Sequence, residues 1–242
     1  MPKYVKYIKD KGLECVSFTN GSKLTLELSK ELIIAGIDVL RVSCIGYDEQ
    51  TYSHWMSRNN YNDIRNNIKG FVKLNRDMGG KSEIHLLHLI INSKLQKHEI
   101  QKYRKNWSEY IGAKSEIWLM HNWAGSKVAL KYHRSKPNKR SCGRPFSPLL
   151  QVRAGGTQGH SGAEVACCMV LGKDSRAVLG HLDNQTISEV LKGLKFSELR
   201  RAHTKQNFSD ISYCANCDQL YESPDSLVWT DIEGREYGQS KI

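Results

Sequence analysis

Apolar residues in the first part of the chain alternate between short β-branched runs and helical spacings. Residues 15–18 form a short run that favours a strand, and residues 37–45 form a longer run, apolar on both faces, as a buried parallel strand requires. Between them the spacing predicts a helix that is capped by Thr25 and ended by Gly36. Its apolar face consists of Leu24, Leu28, Leu32 and Ala35.

The same alternation repeats further along the chain. It predicts a helix from Asn60, a strand over residues 84–91, another helix, and a fourth strand over residues 116–120. The apolar faces of the two helices are Tyr61, Ile64, Ile68 and Phe71, then Ile100, Tyr103, Trp107 and Tyr110. Because strands alternate with helices, we expect right-handed βαβ units and four parallel strands.

Polar residues follow these strands at their carboxyl ends, where parallel sheets bind ligands. They are Asn20, Ser43, Asn92, His121 and Asn122. One interpretation is a ligand site. The alternative, which we favour for any single residue, is that each side chain caps its own loop.

The charge balance of the 242 residues is positive, with 36 Lys and Arg against 25 Asp and Glu, for a net charge of +11. The best domain boundary is a basic stretch over residues 127–144, which we interpret as a solvated linker. Nucleic-acid binding is the alternative, and it is disfavoured because Tyr132 is the one large aromatic residue there. No apolar run approaches the ~20 residues of a membrane span, and without a signal-peptide pattern we expect a cytoplasmic protein.

Five of the seven cysteines lie after position 140, and Cys214 and Cys217 form a C-x-x-C turn that can present two thiolates to one metal centre. Cys142 is a candidate third ligand. Cys167 and Cys168 lie on the second strand of a predicted hairpin, and as strand neighbours they face opposite ways, so they cannot easily bind the same centre. Spacing leaves open an iron-sulfur cluster, a zinc site or unrelated buried thiols.

Other features of this half are local. Residues 149–153 and 163–169 are predicted hairpin strands, and Thr186 with Glu189 forms a capping box at the start of a helix. We expect Ile187, Val190, Leu191 and Leu194 on one face of that helix. Cys15 and Cys44 lie on predicted buried strands and are interpreted as core residues.

The order of these motifs resembles the SPASM or twitch-like extension of radical SAM enzymes. The motifs are Cys142-Gly143-Arg144-Pro145-Phe146, Gly162-x4-Cys167-Cys168, Leu179-Gly180-His181-Leu182, Leu199-Arg200-Arg201-Ala202-His203 and Cys214-x2-Cys217. The first half is similar to the later part of their barrel. There the matching stretches are Phe18-Thr19-Asn20-Gly21, residues 35–43, Tyr52 with Arg58, and His121-Asn122-Trp123-Ala124-Gly125.

This resemblance implies one auxiliary [4Fe-4S] cluster held by Cys142, Cys167, Cys214 and Cys217. Cys167 is preferred over Cys168 because the family spacing is Gly-x4-Cys, counted here from Gly162. In the barrel, the resemblance implies cofactor-binding roles for Asn20, Ser43 and Arg58.

Two family motifs do not occur in this sequence: the C-x3-C-x2-C that holds the catalytic cluster and the G-G-E-P-like loop that binds S-adenosyl-L-methionine. The stretch Ser43-Cys44-Ile45-Gly46 also lacks the acidic residue that the family carries there. We therefore expect no cleavage of S-adenosyl-L-methionine by this chain alone, and no catalytic residue is assigned. That cofactor is expected only if an N-terminal portion is supplied.

The expected fold is α/β: an incomplete, four-stranded parallel βα partial TIM barrel followed by a small α+β, cysteine-rich, SPASM-like domain. The expected boundaries are 1–125 for the barrel part, 126–141 for the linker, 142–222 for the iron-sulfur domain and 223–242 for a tail. The expected function is that of the C-terminal portion of a radical SAM/SPASM-type enzyme. The alternative is a non-enzymatic iron-sulfur or zinc module for electron transfer or substrate docking. The implied partners are an N-terminal radical SAM portion or a redox partner, with a peptide or small-molecule substrate.

Overall fold

A computed structural model describes residues 1–120, 122, 141–146, 151–153, 164–166, 177–217 and 227–233. Contacts divide the chain into two units. The first comprises Met1–Met120 with Ser226–Gln239, and the second comprises His121–Asp225 with Ser240–Ile242. The predicted linker falls almost wholly outside the described residues, and the predicted domain boundaries stay predictions.

Helices and strands alternate through residues 1–120. They are α1 (Pro2–Asp10), β1 (Val16–Thr19), α2 (Leu26–Ala35), β2 (Val39–Ser43), α3 (Glu49–Met56), α4 (Tyr61–Asp77), β3 (Glu83–Ile90), α5 (Gln96–Tyr103) and β4 (Lys114–Leu119). A 3₁₀ turn (Ser93–Leu95) precedes α5, and a π-helical segment (Arg104–Glu109) follows it. The described elements of the second unit are a 3₁₀ turn (Arg144–Phe146), β5 (Gln151–Arg153), β6 (Glu164–Ala166), β7 (Val178–His181), α6 (Ile187–Lys192), α7 (Leu194–Lys205) and α8 (Ser212–Ala215). The chain then forms β8 (Leu227–Thr230).

The sheet of the first unit has the strand order β1-β2-β3-β4-β8. Strands β1 to β4 are parallel, which confirms the predicted mostly parallel α/β architecture, and β8 adds to β4 in the antiparallel direction. β8 lies within the predicted tail, so those residues are part of a sheet. Among the described strands β1 lies at the edge, and Phe18 on it is 62% exposed.

Local signals place the helices of this unit as expected. The Thr25 side chain accepts a hydrogen bond from the Leu28 backbone N–H, and Gly36 ends α2 with φ of 81°. The predicted apolar face of α4 is wholly buried. The longest helix in the described part of the chain, α4, has 17 residues, and none of the described helices is long and apolar enough to cross a membrane.

The expected face of the helix after β3 is partly wrong. Tyr103 and Trp107 are fully buried, but Tyr110 is 41% exposed and Ile111 is buried instead. The cause is the π-helical segment, whose wider turn shifts the following residues by one position around the axis. Tyr110 lies under the guanidinium of Arg65, 3.7 Å from its ring centroid.

The second unit contains a three-stranded antiparallel sheet in the order β5-β6-β7, so the predicted hairpin is confirmed at its described strands. The Thr186 and Glu189 capping box is present. The helix it begins is shorter than expected, because Gly193 is extended (φ −67°, ψ 163°) and separates α6 from α7. As a result Leu194 lies 74% exposed rather than on the buried face of Val190. Ile187, the first residue of α6, is 48% exposed, so its expected place on the buried face is also wrong.

Candidate metal centre

A single apolar cluster forms the core of the second unit and contains the cysteines of the C-x-x-C turn. Its buried members are Ala177, Leu179, Val190, Phe196, Leu199, Phe208, Tyr213, Cys214 and Cys217. Cys142 is partly buried and packs against this cluster. Three of the four predicted sulfur ligands therefore lie in one apolar environment, although Cys142 is 72 positions from Cys214 in the sequence.

The C-x-x-C turn is formed by the short helix α8. Cys214 lies in its last turn, and the Cys217 N–H donates to the Cys214 carbonyl at 3.1 Å, which folds the segment back on itself. The two thiols are 5% and 8% exposed. The Asn122 side-chain amide donates to the Asn216 carbonyl at 2.7 Å. Asn122 therefore binds the distant C-x-x-C turn through this hydrogen bond, which differs from the capping of its own loop that we favoured.

His203 on α7 connects the two cysteine-bearing segments. Its Nδ1 accepts the Cys142 backbone N–H at 3.1 Å, and its Nε2 lies 3.5 Å from the Cys214 sulfur. The Ser141 hydroxyl is 3.2 Å from the same Nδ1. His203 is 2% exposed, and its ring meets Phe208 edge-on with centroids 4.8 Å apart. Burial lowers the pKa of His203, which favours the neutral imidazole.

Sequence reasoning did not assign His203 a role. A signal was present, because Phe196, Leu199 and His203 recur at helical spacing and form the buried face of α7. A histidine at such a position is commonly a core residue, and only the tertiary contact with Cys142, 61 positions away, indicates more.

Arg200, one turn before His203, anchors the segment that carries Cys142. Its Nε donates to the Pro145 carbonyl at 2.9 Å, and its Nη1 donates to the Leu191 carbonyl at 3.0 Å. The guanidinium also lies over the Phe196 ring, 4.2 Å from its centroid. One cation therefore ties residues 141–146 to α6 and α7 in a defined position.

The donor set is of the right chemical kind for an iron-sulfur cluster or zinc, since thiolates suit both. Among the described residues no group of three His, Cys, Asp or Glu side chains is arranged to hold a metal ion. Cys142, Cys214 and Cys217 thus lie in or against the same apolar core, but among the described residues they do not form a three-ligand metal site. Cys167 and Cys168 lie outside the described residues, and the ligand set stays a prediction.

The predicted cofactor-binding residues of the first unit occupy separate local environments. Asn20 is exposed, and its Oδ1 accepts hydrogen bonds from the Ser22 N–H and hydroxyl, as the loop-capping alternative expects. Ser43 is half-buried at the end of β2, and Arg58 is exposed between α3 and α4. Asn92 caps the turn at Lys94. His121 lies outside the described residues, and cofactor binding by Asn20, Ser43 and Arg58 stays a prediction.

A polar group on the sheet of the first unit was not predicted. Glu116 on β4 is fully buried and accepts hydrogen bonds from Arg41 Nη2 at 3.3 Å and Trp118 Nε1 at 3.0 Å. His85 Nδ1 lies 3.9 Å from the same carboxylate. His85 Nε2 is 2.9 Å from Glu83, and this hydrogen bond holds the pKa of Glu83 below its usual range.

Comparison with known families identifies the second unit. Residues 159–218 match the family model of the SPASM domain, described as an iron-sulfur cluster-binding domain. The matched range contains His203 and the C-x-x-C turn, while Cys142 precedes it. A SPASM domain is therefore present, which confirms this part of the resemblance. The match does not extend to the first unit, where the partial barrel stays a prediction, and a comparison with curated proteins found no match.

Proposed function

We propose that this chain carries the auxiliary-cluster part of a radical SAM/SPASM-type enzyme. In this proposal one [4Fe-4S] cluster is held by Cys142, Cys167, Cys214 and Cys217. The observation that carries it is that Cys142 packs on the same buried cluster as Cys214 and Cys217, within a unit that contains a SPASM domain. Iron-sulfur binding follows from the domain, whereas the cluster type and the enzyme context are part of the proposal.

The chain's own residues would position the sulfur ligands and exclude water from the cluster. Cys214 and Cys217 present two thiolates from one turn, and the apolar side chains around them keep water away. Arg200 fixes the Cys142 segment through the Pro145 carbonyl. A cluster bound there would supply one-electron transfer or a site for substrate, with a potential set by burial and by hydrogen bonds to its sulfurs.

The first unit supports the enzyme context less directly. Among the described strands β1 lies at the edge of the sheet and carries the exposed Phe18, as a barrel part that pairs with further strands would require. We propose that this unit is the later part of a radical SAM barrel. The sequence contains no C-x3-C-x2-C motif, so we expect no cleavage of S-adenosyl-L-methionine by the chain alone.

The test of cluster binding is anaerobic expression with iron and sulfide, followed by metal analysis. We expect about four irons per chain and a visible absorbance band, in line with a Cys₄ site. Cys214→Ser should lose both. Cys15→Ser is the matched control, because Cys15 is a buried thiol of the first unit. One zinc and no iron in the wild type would contradict the iron-sulfur proposal.

The enzyme context has its own test. The loaded chain is mixed with S-adenosyl-L-methionine and a strong reductant, and 5′-deoxyadenosine is measured by chromatography. We expect none. Formation of 5′-deoxyadenosine at a rate above that of Cys214→Ser would overturn the proposed inactivity.

The alternative proposal is a non-enzymatic iron-sulfur module that carries electrons or docks a substrate. A cavity of about 510 Å³ beside α7 favours it, since a docking surface is a requirement of such a module. Lys195, Arg201 and Lys205 line this cavity together with Glu198 and Asp210.

The electron-transfer role of such a module has its own test. We expect reversible one-electron reduction of the loaded chain by dithionite, followed by electron paramagnetic resonance. A loaded cluster that cannot be reduced and reoxidised would contradict the electron-transfer role.

A further inference from the structure

The hydrogen bonds of His203 determine which of its ring nitrogens carries the proton. A backbone N–H can only donate, so Nδ1, which accepts from Cys142 at 3.1 Å, must present a lone pair. The proton is therefore on Nε2. That nitrogen lies 3.5 Å from the Cys214 sulfur, so its N–H is directed at a predicted ligand.

The surroundings of His203 keep this arrangement in place. The side chain is 2% exposed, and the Phe208 ring packs edge-on against it. The Ser141 hydroxyl lies 3.2 Å from Nδ1 and can act as a second donor to the same lone pair. The ring is thus held between the two segments with its donor side toward Cys214 and its acceptor side toward Cys142.

We propose that His203 is a positioning residue of the iron-sulfur site, which joins the Cys142 and Cys214 segments through one imidazole and raises the reduction potential by an Nε2–H···S hydrogen bond to Cys214. This inference rests on the proposed cluster binding. Its physical basis is that reduction adds negative charge to the cluster and its thiolates. A donor aimed at a ligand sulfur stabilises the reduced form more than the oxidised form.

Two substitutions separate the two hydrogen bonds of His203. In His203→Asn the amide oxygen lies near the former Nδ1, so it can still accept from Cys142, but the shorter side chain has no donor at the former Nε2 position. In His203→Gln the amide nitrogen lies near the former Nε2, so a donor to Cys214 is retained. His54→Asn is the control, because His54 is an exposed histidine of the first unit.

The first measurement is the midpoint potential of the loaded full-length chain, with iron content determined on the same samples. We expect the equilibrium constant for reduction of the cluster to fall about tenfold in His203→Asn. For a one-electron couple this lowers the midpoint potential by about 59 mV. The midpoint potential of His203→Gln should differ from that of the wild type by less than half of this shift. The midpoint potential of His54→Asn should equal that of the wild type. Equal potentials in wild type and His203→Asn at equal iron content would overturn the tuning role.

Loss of iron is also informative. Loss in His203→Asn but not in His203→Gln supports the donor to Cys214, since the two variants differ in that contact. Loss in both variants, with normal iron in His54→Asn, overturns the tuning role and leaves His203 as a folding residue.

The second measurement does not need the cluster. Ring ¹⁵N shifts are recorded on the iron-free chain with ¹⁵N-labelled histidine, and the signals missing in His203→Asn assign His203. We expect a protonated Nε2 and an unprotonated Nδ1, and a protonated Nδ1 would overturn the inference. If the wild type binds no iron but shows this tautomer, the proposed function fails while the His203 hydrogen bonds stand.

Discussion

Arg41 and Glu116 form an ion pair that spans strand β3, with Nη2 3.3 Å from Oε1, although their strands β2 and β4 are not neighbours in the sheet. The Glu116 side chain is 1% exposed and the Arg41 side chain 20%. A carboxylate removed from water to this extent needs a cation or several donors to remain charged. Arg41 supplies the cation, and Trp118 supplies a further donor.

We predict that Arg41→Met destabilises the first unit by about 3 kcal/mol, because it removes the Arg41 cation from the buried Glu116 carboxylate. Glu116→Gln should cost less, since it removes the charge and keeps an acceptor for Trp118. Urea unfolding followed by tryptophan fluorescence measures both, as four of the five tryptophans lie in the first unit. The double variant should cost less than the sum of the two. An Arg41→Met change below 1 kcal/mol would contradict the prediction.

Gly46 is predicted to tolerate no side chain. Its φ is +120°, and a Cβ added there would collide with the backbone of Tyr52. Its N–H donates to His88 Nδ1 at 3.2 Å, and its carbonyl accepts from Trp107 Nε1 at 2.9 Å, so the backbone cannot move away without losing both bonds. We expect Gly46→Ala to cost about 3 kcal/mol or more.

Gly12→Ala is the matched control for Gly46. Gly12 also has a positive φ, of +72°, but nothing lies within 4 Å of an added Cβ, so we expect about 1 kcal/mol from backbone strain alone. The same urea experiment compares the two variants. Equal costs would show that the contact with Tyr52 does not limit Gly46.

The parts of the fold that could be predicted from the sequence are those written in local patterns. The cap at Thr25, the buried face of α4 and the capping box at Thr186 each depend on residues within a few turns of one another. The four parallel strands follow from runs of apolar residues between these helices. Cys15 and Cys44 are buried as expected, although each lies one residue outside its strand, and β1 itself is exposed or half-buried.

What could not be predicted depends on distant pairs or on small departures from regular geometry. Glu116 reads as a polar residue in a strand until Arg41, 75 positions away, is placed beside it. β8 pairs with β4 across more than 100 residues, and no local period reports that pairing. Likewise His203 gains meaning only from its contacts with Cys142 and Cys214.

We predict that His88 makes the first unit less stable at mildly acidic pH. His88 is fully buried, with Nδ1 accepting from Gly46 and Nε2 3.4 Å from Glu99. Burial lowers its pKa, an effect that the hydrogen bond to Glu99 only partly opposes. As the pH falls below about 6.5, the unfolded chain takes up a proton at this residue and the folded chain does not. The contribution of neutral His88 to the free energy of unfolding is therefore fully present above that pH, and it is lost as the pH falls toward the pKa of the folded state.

The measurement is the free energy of unfolding at pH 7.5 and 5.5 for wild type and His88→Gln. One proton accounts for at most about 1.4 kcal/mol per pH unit, and we expect the variant to lose a measurable part of that slope. His88→Gln is also expected to be less stable at both pH values, because glutamine keeps a donor near the former Nε2 but loses the Nδ1 acceptor of the Gly46 N–H. Identical slopes in the two proteins would contradict the assignment to His88.

The choice between Cys167 and Cys168 yields the last prediction. The sequence predicts a strand over residues 163–169, and consecutive strand residues face opposite sides of a sheet. Only one of the two is therefore expected to face the proposed iron-sulfur cluster, and the Gly-x4-Cys spacing from Gly162 favours Cys167. We expect Cys167→Ser to lose iron as Cys214→Ser does, while Cys168→Ser keeps about four irons per chain, since a Cys₄ set is complete without it. Iron analysis of anaerobically loaded protein decides between them: the reverse result assigns the ligand to Cys168, and full iron in both variants contradicts a four-thiolate site that includes this segment.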